Sequence, residues 1–498
     1  MAESCIAVLD IGKTNKKILA FDENLNILTS AVEKIDEVER NGLLSDNVED
    51  IRRFFFGKLA EINREYPVKA ISISAHGATF ACVDEDGELT VPQVSYTNDP
   101  GEEFHEQFYQ DFGDPAELQK ETATPNFNLL LNAAKGIYFV KQKFPDDFAR
   151  TKYILNYNTY FGYLLTGVAS SEHTYVGCHT YLWDFHNNCP SSVACKMGVD
   201  KLLPTPVMRP WDVVGKISPA VAEETGLSPE TIVAHGLHDS NAALVPYMCT
   251  VKDDFVLNST GTWCVDMHEM EKVEFAEEEL GKTVFYNLNA WGRPVKTSIF
   301  LGGAEFETYL QILQQIHGKF ASPEFDPALC QKLINEKNCF IMPGVTPGTG
   351  QFPESRARVI EGDKEYLLED IKNGKVVPEF MKDLLRAISV LDLSLVVQNT
   401  VALDRVDMKD GLPMFTEGGF RKDDTYNKLL AGYYPDSRYC LTNLEEASAA
   451  GAAICGKCAL EGVDLTDAGN WVTIETEQVE PPAITSFEQY KDAFLEQL

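Results

Sequence analysis

The chain has 498 residues, 76 of them acidic against 43 basic, giving a formal net charge of −33 and a pI near 4.6. That length predicts two or three domains, each able to bury its own core, and 44% hydrophobic with 24% charged residues excludes wholesale disorder. The acidic field argues against a nucleic-acid or membrane partner because it repels phosphate backbones, although a local group of lysines still admits a small anion.

The first predicted element is a β-hairpin: strand Ile6 to Leu9, the turn Asp10-Ile-Gly-Lys-Thr-Asn15, and strand Lys17 to Phe21. Its turn residues tolerate unusual dihedrals or bond their own backbone. Backbone amides around Gly12, with donors and positive charge from Lys13, Thr14, Asn15 and Lys17, suit phosphate oxygens. Asp10 would sit beside those oxygens, where a carboxylate is tolerable only with a cation such as magnesium. An ordinary surface hairpin would use the same turn chemistry.

A second strand pair is expected from Ala70 to Ser74 and Thr79 to Val83, broken at His76-Gly77. Residues 128–165 read mostly as helix, with apolar positions at three- and four-residue spacing. Gly236-Leu-His238-Asp239 then opens another helix. An Asp there is either an N-cap or, in a cleft, a base that takes a proton from an attacking hydroxyl.

Near the middle, Phe255 to Asn258, the turn Ser259-Thr260-Gly261-Thr262 and Trp263 to Met267 repeat the opening device. Two such hairpins imply two lobes of similar build across a cleft. The expected division is 1–248, 249–475 and a tail 476–498, with the lobe boundary near Pro246 to Asp254 and no flexible linker. Towards the C-terminus come strand Pro413 to Thr416, the break Glu417-Gly418-Gly419-Phe420, a helix around Tyr426 to Tyr434, and a small-residue helix from Leu444 to Leu460. The two hairpins plus Gly418-Gly419 suggest one nucleotide held between the lobes. The tail after Thr473 reads as polar, acidic and peripheral.

The twelve cysteines follow no framework, and Met1 to Val8 lacks the basic start and apolar run of a secretory signal. Apolar stretches such as Leu393 to Val397 fall short of the roughly 20 residues a membrane span needs. Reduced thiols in a cytoplasmic protein are expected. Cys455 and Cys458 have redox-motif spacing but read as helix residues in an Ala-rich stretch.

Five segments, in order, resemble those of the FGGY family of carbohydrate kinases, within the superfold of actin, hexokinase and the heat-shock chaperone ATPases. Asp10-Ile-Gly-Lys-Thr-Asn-Lys-Lys17 is similar to the first phosphate motif and Ser74-Ala-His-Gly77 to a sugar-side segment. Gly236-Leu-His-Asp239 is similar to the catalytic segment and Asn258-Ser-Thr-Gly-Thr-Trp263 to the second phosphate motif. Glu417-Gly-Gly-Phe420 with Glu446-Ala-Ser-Ala-Ala-Gly-Ala-Ala453 resembles the adenosine motif.

The resemblance implies an α/β fold of two actin-like, ribonuclease H-like lobes and an ATP-dependent, magnesium-requiring sugar kinase. Asp239 is its implied general base, Asp10 the magnesium-associated carboxylate, and Thr14 and Thr262 hydroxyls near the phosphates. Gly419, with its neighbours Gly418 and Phe420, is implied beneath the adenosine, and His76 and Asp99 at the sugar. Lys13 and Lys17 replace the usual Thr and Arg, and Gly-Gly-Phe departs from a Gly-Gly-Gly run. The Ser-Thr-Gly-Thr-Trp text resembles the L-rhamnulose and L-fuculose kinases, which makes a deoxy-ketohexose the expected substrate. A polyol or aldose kinase, or a non-catalytic sugar or nucleotide sensor on the same fold, remain alternatives, and a homodimer is the default assembly.

Overall fold

The computed structural model describes residues 4–444 and 446–498. The elements that build the first lobe are β1 (Cys5–Ile11), β2 (Asn15–Phe21), β3 (Ile27–Lys34), α1 (Val48–Glu65), β4 (Val68–Ala75), β5 (Val213–Lys216), β6 (Ile232–Ala234) and α2 (Asp239–Thr250). Its sheet runs β5-β6-β4-β1-β2-β3, with the short strand Leu237–His238 also beside β4. Strand β1 is antiparallel to β2 and parallel to β4, which sets Asp10 opposite Lys17 on one side and Ser74 on the other. Helix α1 begins where the Asn47 side chain accepts the Asp50 amide, and it presents Ile51, Phe55, Leu59 and Ile62 to the sheet at helical spacing.

The second lobe comprises β7 (Val256–Thr260), β8 (Cys264–Glu269), β9 (Val284–Leu288), β10 (Pro294–Phe300), α3 (Gly302–His317), α4 (Leu384–Arg405), β11 (Met414–Gly418), α5 (Asp424–Tyr433), β12 (Tyr439–Thr442), α6 (Ala447–Glu461), β13 (Thr476–Gln478) and α7 (Phe487–Leu495). Its sheet runs β9-β10-β8-β7-β11-β12-β13. Strand β7 is antiparallel to β8 and parallel to β11, as β1 is to β2 and β4. The repeat seen in the sequence is therefore a repeat of topology, as expected for two actin-like lobes.

Several local expectations are corrected. Phe80–Val83 does not fold back on β4; it pairs with Tyr153–Asn156 in a separate two-stranded sheet. That strand interrupts the expected helical stretch, which breaks into Ala133–Lys143, Pro145–Phe148 and Tyr157–Thr166. The expected lobe boundary, near Pro246 to Asp254, falls on the end of α2, which contains Pro246 and stops at Thr250.

The tail is not peripheral: β13 extends the second sheet and α7 buries Phe487, Tyr490 and Phe494 in the lobe core. Its apolar spacing of three and four residues carries this packing.

Helix α6 crosses back to the first lobe. Ala449, Ala452, Ile454 and Cys455 pack with Val8, Leu237, Ala242 and Val245. A Cβ on Gly451 would meet the Ala242 carbonyl oxygen at 1.9 Å, and one on Gly456 would meet Ile6 Cγ2 at 2.8 Å. The 249–475 segment therefore contributes one helix to the opposite lobe.

All twelve cysteines are free, and Cys455 and Cys458 are fully buried core residues. Helix α4, with 22 residues and a mean hydropathy of 1.4, is long and apolar enough to cross a membrane by length and composition, contrary to the expectation from shorter apolar runs. In the fold, 78% of its apolar window is buried inside the protein, where it forms the spine of the second lobe with α3 and α5.

Candidate active site

The lobes enclose a cavity of about 570 Å³, within the usual size for a small-molecule site. Asp239 opens α2 at its floor, with about a third of the side chain exposed to the cavity. The cap position belongs to His238, whose side chain makes no capping bond. The Asp239 carboxylate instead accepts the Ser240 amide at 2.6 Å. Burial raises its pKa, while His76, the Ser240 bonds and His179 pull the other way.

On one side lie the two glycine-containing hairpins. Asp10 is 8% exposed, and the Ser448 hydroxyl stands 3.3 Å from both its oxygens. Burial pushes its pKa up to about 6; a bond from Ser74 and the Lys17 charge oppose this, while Asp239 and Glu446 reinforce it. Lys17 reaches Glu446 at 2.6 Å. Asp10, Asp239 and Glu446 thus form a carboxylate group compensated by one lysine. That excess of negative charge, on oxygen donors, fits a divalent cation of the magnesium type.

The second hairpin faces this group. Thr260, Gly261 and Thr262 line the cavity, as does Gly418. Gly418 has φ 82°, and a Cβ on it would lie 1.9 Å from the Thr260 carbonyl oxygen. The Thr260 hydroxyl is committed to this junction: it donates to the Glu417 carbonyl and accepts the Phe420 amide. Helix α3 starts against the turn, where a Cβ on Gly303 would strike the Gly261 carbonyl oxygen.

The other side is histidine-rich. His76, His179 and His238 line it with Tyr96, Phe127 and Phe285. Burial lowers their pKa values to about 4, about 4 and about 3, so all three are neutral at physiological pH. His76 is backed by Asp46 at 3.8 Å. Lys135 holds the Phe127 wall by donating to the Asn126 side chain at 2.7 Å and to the Phe127 carbonyl at 2.6 Å.

The fold thus brings Lys17, His76, Asp239, Thr260, Gly261, Thr262 and Gly418 to one cavity, with Asp10 behind its wall against the lining residue Ser448. It leaves other expected residues outside its lining. Lys13 turns away into ion pairs with Asp46 at 2.9 Å and with Glu37, and its ammonium sits 4.8 Å from the Tyr96 ring centre. Gly12 and Thr14 lie in the turn beyond Asp10 and Asn15 begins β2, with Thr14 and Asn15 exposed to solvent. Asp99 is exposed and accepts the Gly101 amide at 2.9 Å in a surface turn. Gly419 lies just outside the lining, and Phe420 is a core residue stacked on Tyr426 with ring centres 4.6 Å apart.

Sequence reading missed Cys178, His179, Phe285 and Ser448. Ser448 sat within a quoted motif, but the others lie in segments where nothing in local spacing marks a site.

The FGGY family of carbohydrate kinases, N-terminal domain, matches residues 5–246, and carbohydrate kinase FGGY, C-terminal domain, matches residues 252–463. A rhamnulokinase of Halalkalibacterium halodurans is 25% identical over 265 residues, 51% of this chain and 54% of that protein. A probable L-xylulose kinase of Pasteurella multocida is 24% identical over 268 residues, 52% of this chain and 54% of that protein. The chain thus spans about half the length of the curated relatives it matches. The crystal structure of a carbohydrate kinase from Novosphingobium aromaticivorans superposes with a TM-score of 0.81 at 26% identity, covering 100% of this chain and 99% of that one. With both matched domains in order and together covering most of the sequence, the chain belongs to the FGGY family of carbohydrate kinases.

Proposed function

We propose that this protein transfers the γ-phosphoryl group of Mg-ATP to a primary hydroxyl of a neutral ketose, with a deoxy-ketohexose such as L-rhamnulose or L-fuculose as the favoured substrate. The observation that carries the reading is the position of Asp239 between a histidine-lined end and a glycine-rich end that holds Lys17 and is backed by Asp10 through Ser448. ATP phosphates would lie along the two hairpins and the sugar against His76, His179 and His238. A magnesium ion near Asp10 would neutralise charge on the phosphates.

Asp239 would take the proton of the sugar hydroxyl as its oxygen bonds to the γ-phosphorus and the bond to the bridging oxygen of ADP breaks. Burial makes this carboxylate a stronger proton acceptor than a free one. Most of the rate would come from positioning and charge complementarity, with lobe closure excluding water as a competing acceptor. Phe127, Leu131, Phe285 and Ile299 give the cavity an apolar wall suited to a methyl group. No cationic side chain faces the histidine end among the described lining residues, which disfavours an acidic sugar. The names of the two curated relatives also support a ketose. Free cysteines throughout suit a cytoplasmic setting.

The test is ADP release with Mg-ATP against L-rhamnulose, L-fuculose, D-xylulose, L-ribulose and glycerol. One strong response, reduced about 10²–10⁴-fold in Asp239→Asn, supports the reading. No response to any panel sugar would overturn the ketose assignment, and no ATP binding by calorimetry would overturn the kinase.

A further inference from the structure

At the histidine end of the cavity, Cys178 Sγ and one ring nitrogen each of His179 and His238 lie within 4.8 Å of one another. Cys178 Sγ is 3.4 Å from His238 Nε2. Two donors on a tetrahedral zinc ion, with bonds of about 2.0–2.3 Å, stand roughly 3.3–3.7 Å apart. The His179 orientation is fixed from behind: its Nδ1 lies 2.9 Å from the Leu131 carbonyl. A carbonyl only accepts, so Nδ1 carries the proton and Nε2 presents its lone pair to the cavity.

The space these nitrogens face exists because residue 77 has no side chain. A Cβ there would lie 2.8 Å from His238 Nε2 and 3.0 Å from His179 Nε2. An oxygen of Asp239 stands 3.4 Å from His238 Nε2, close enough to offer a fourth ligand.

We propose that Cys178, His179 and His238 form a binding site for a thiophilic divalent cation of the Zn²⁺ or Cd²⁺ type, and that its occupation inhibits the enzyme. Thiolate and imidazole donors select such ions over magnesium, which prefers oxygen. Binding replaces the Cys178 S–H bond with an S–metal bond and releases the proton to solvent, with no change of oxidation state. The bound ion would fill the histidine end of the cavity and engage the carboxylate of Asp239. The site differs from the Asp10 group in its donors, which there are all oxygens, and the two share only Asp239.

The experiment titrates the purified full chain with Cd²⁺ and follows thiolate-to-metal charge-transfer absorption in the ultraviolet. A saturable band at one equivalent is expected, lost in Cys178→Ser, retained in Cys195→Ser, and weakened about tenfold or more in affinity in His179→Gln. Absence of the band in the wild type, or its survival unchanged in both Cys178→Ser and His179→Gln, overturns the site. In parallel, micromolar free Zn²⁺ with excess Mg-ATP should lower sugar-dependent ADP formation about tenfold, reversibly on chelation. Saturated Cd²⁺ binding with unaltered turnover in Zn²⁺ overturns the inhibitory role. The absorption arm needs no turnover, so it separates failure of this site from failure of the sugar-kinase reading.

Discussion

Lys17 and Glu446 are 429 positions apart in the chain and 2.6 Å apart in space. The pair joins the first hairpin to the turn that precedes α6, and each side chain is one-third exposed. Lys17 is the lysine facing the cavity among the described lining residues, so its charge must serve any phosphate that enters. Lys17→Met should raise KM for ATP about tenfold, in line with loss of one charge-assisted bond, with KM for the sugar little changed. Steady-state kinetics at saturating sugar reads the split; an unchanged KM for ATP would remove Lys17 from the phosphate site.

Glu417 is a buried carboxyl that accepts bonds from Ser259 at 2.8 Å and Tyr247 at 3.1 Å. Burial pushes its pKa up to about 7 from an ordinary value of 4.5, against the pull of those bonds. A carboxyl raised in the folded state contributes stability that is complete below the unfolded value and is lost as pH rises through about 7. Glu417→Gln should therefore melt closer to the wild type at pH 6 and above it at pH 8, by about 2–4 °C. Calorimetric melting at both pH values tests this, and a wild-type advantage that grows with pH would contradict it.

Among the described residues Lys135 has no carboxylate partner; burial lowers its pKa to about 7. Its two short bonds tie Asn126 and Phe127 to the helix behind them. Lys135→Met should raise KM for the sugar several-fold while leaving KM for ATP near its original value, because the loop it holds walls only the histidine end. Equal changes in both constants would point to a general loss of structure.

Gly418 joins the two central strands of the second lobe where no side chain fits. Gly418→Ala requires both an unfavourable positive φ and a shift of β7 or β11, and should cost on the order of 2–4 kcal/mol. Chemical denaturation measures that cost. Retained stability would mean that the junction relaxes more freely than its contacts imply.

The parts of this protein legible in the sequence are those whose chemistry is local. The turns at Gly12 and Gly261 and the helix opened by Asp239 announce themselves by residue type over four to eight positions. The lining of the histidine end does not. Cys178 and His179 are chain neighbours, but Phe285 and His238 lie in other segments far along the chain, and only the tertiary fold gives them a common address. The same limit explains Asp99 and Lys13. Each sits in the expected segment, but one bonds its own turn and the other pairs with Asp46. The terminal segment misled for a different reason: its exposed face dominates the composition, while three aromatic residues on the other face carry the packing.

Helix α6 has a consequence for the order of assembly. The sheet that carries Asp10 has one face sealed by residues 447–461, which are synthesised after nearly the whole second lobe. During synthesis the amino-terminal half waits with Val8, Leu237 and Val245 uncovered, and it reaches its native packing only once the distal helix has left the ribosome. A ribosome stalled before residue 447 would therefore display a sticky, unfinished lobe, an exposed apolar surface of the type that chaperones retain.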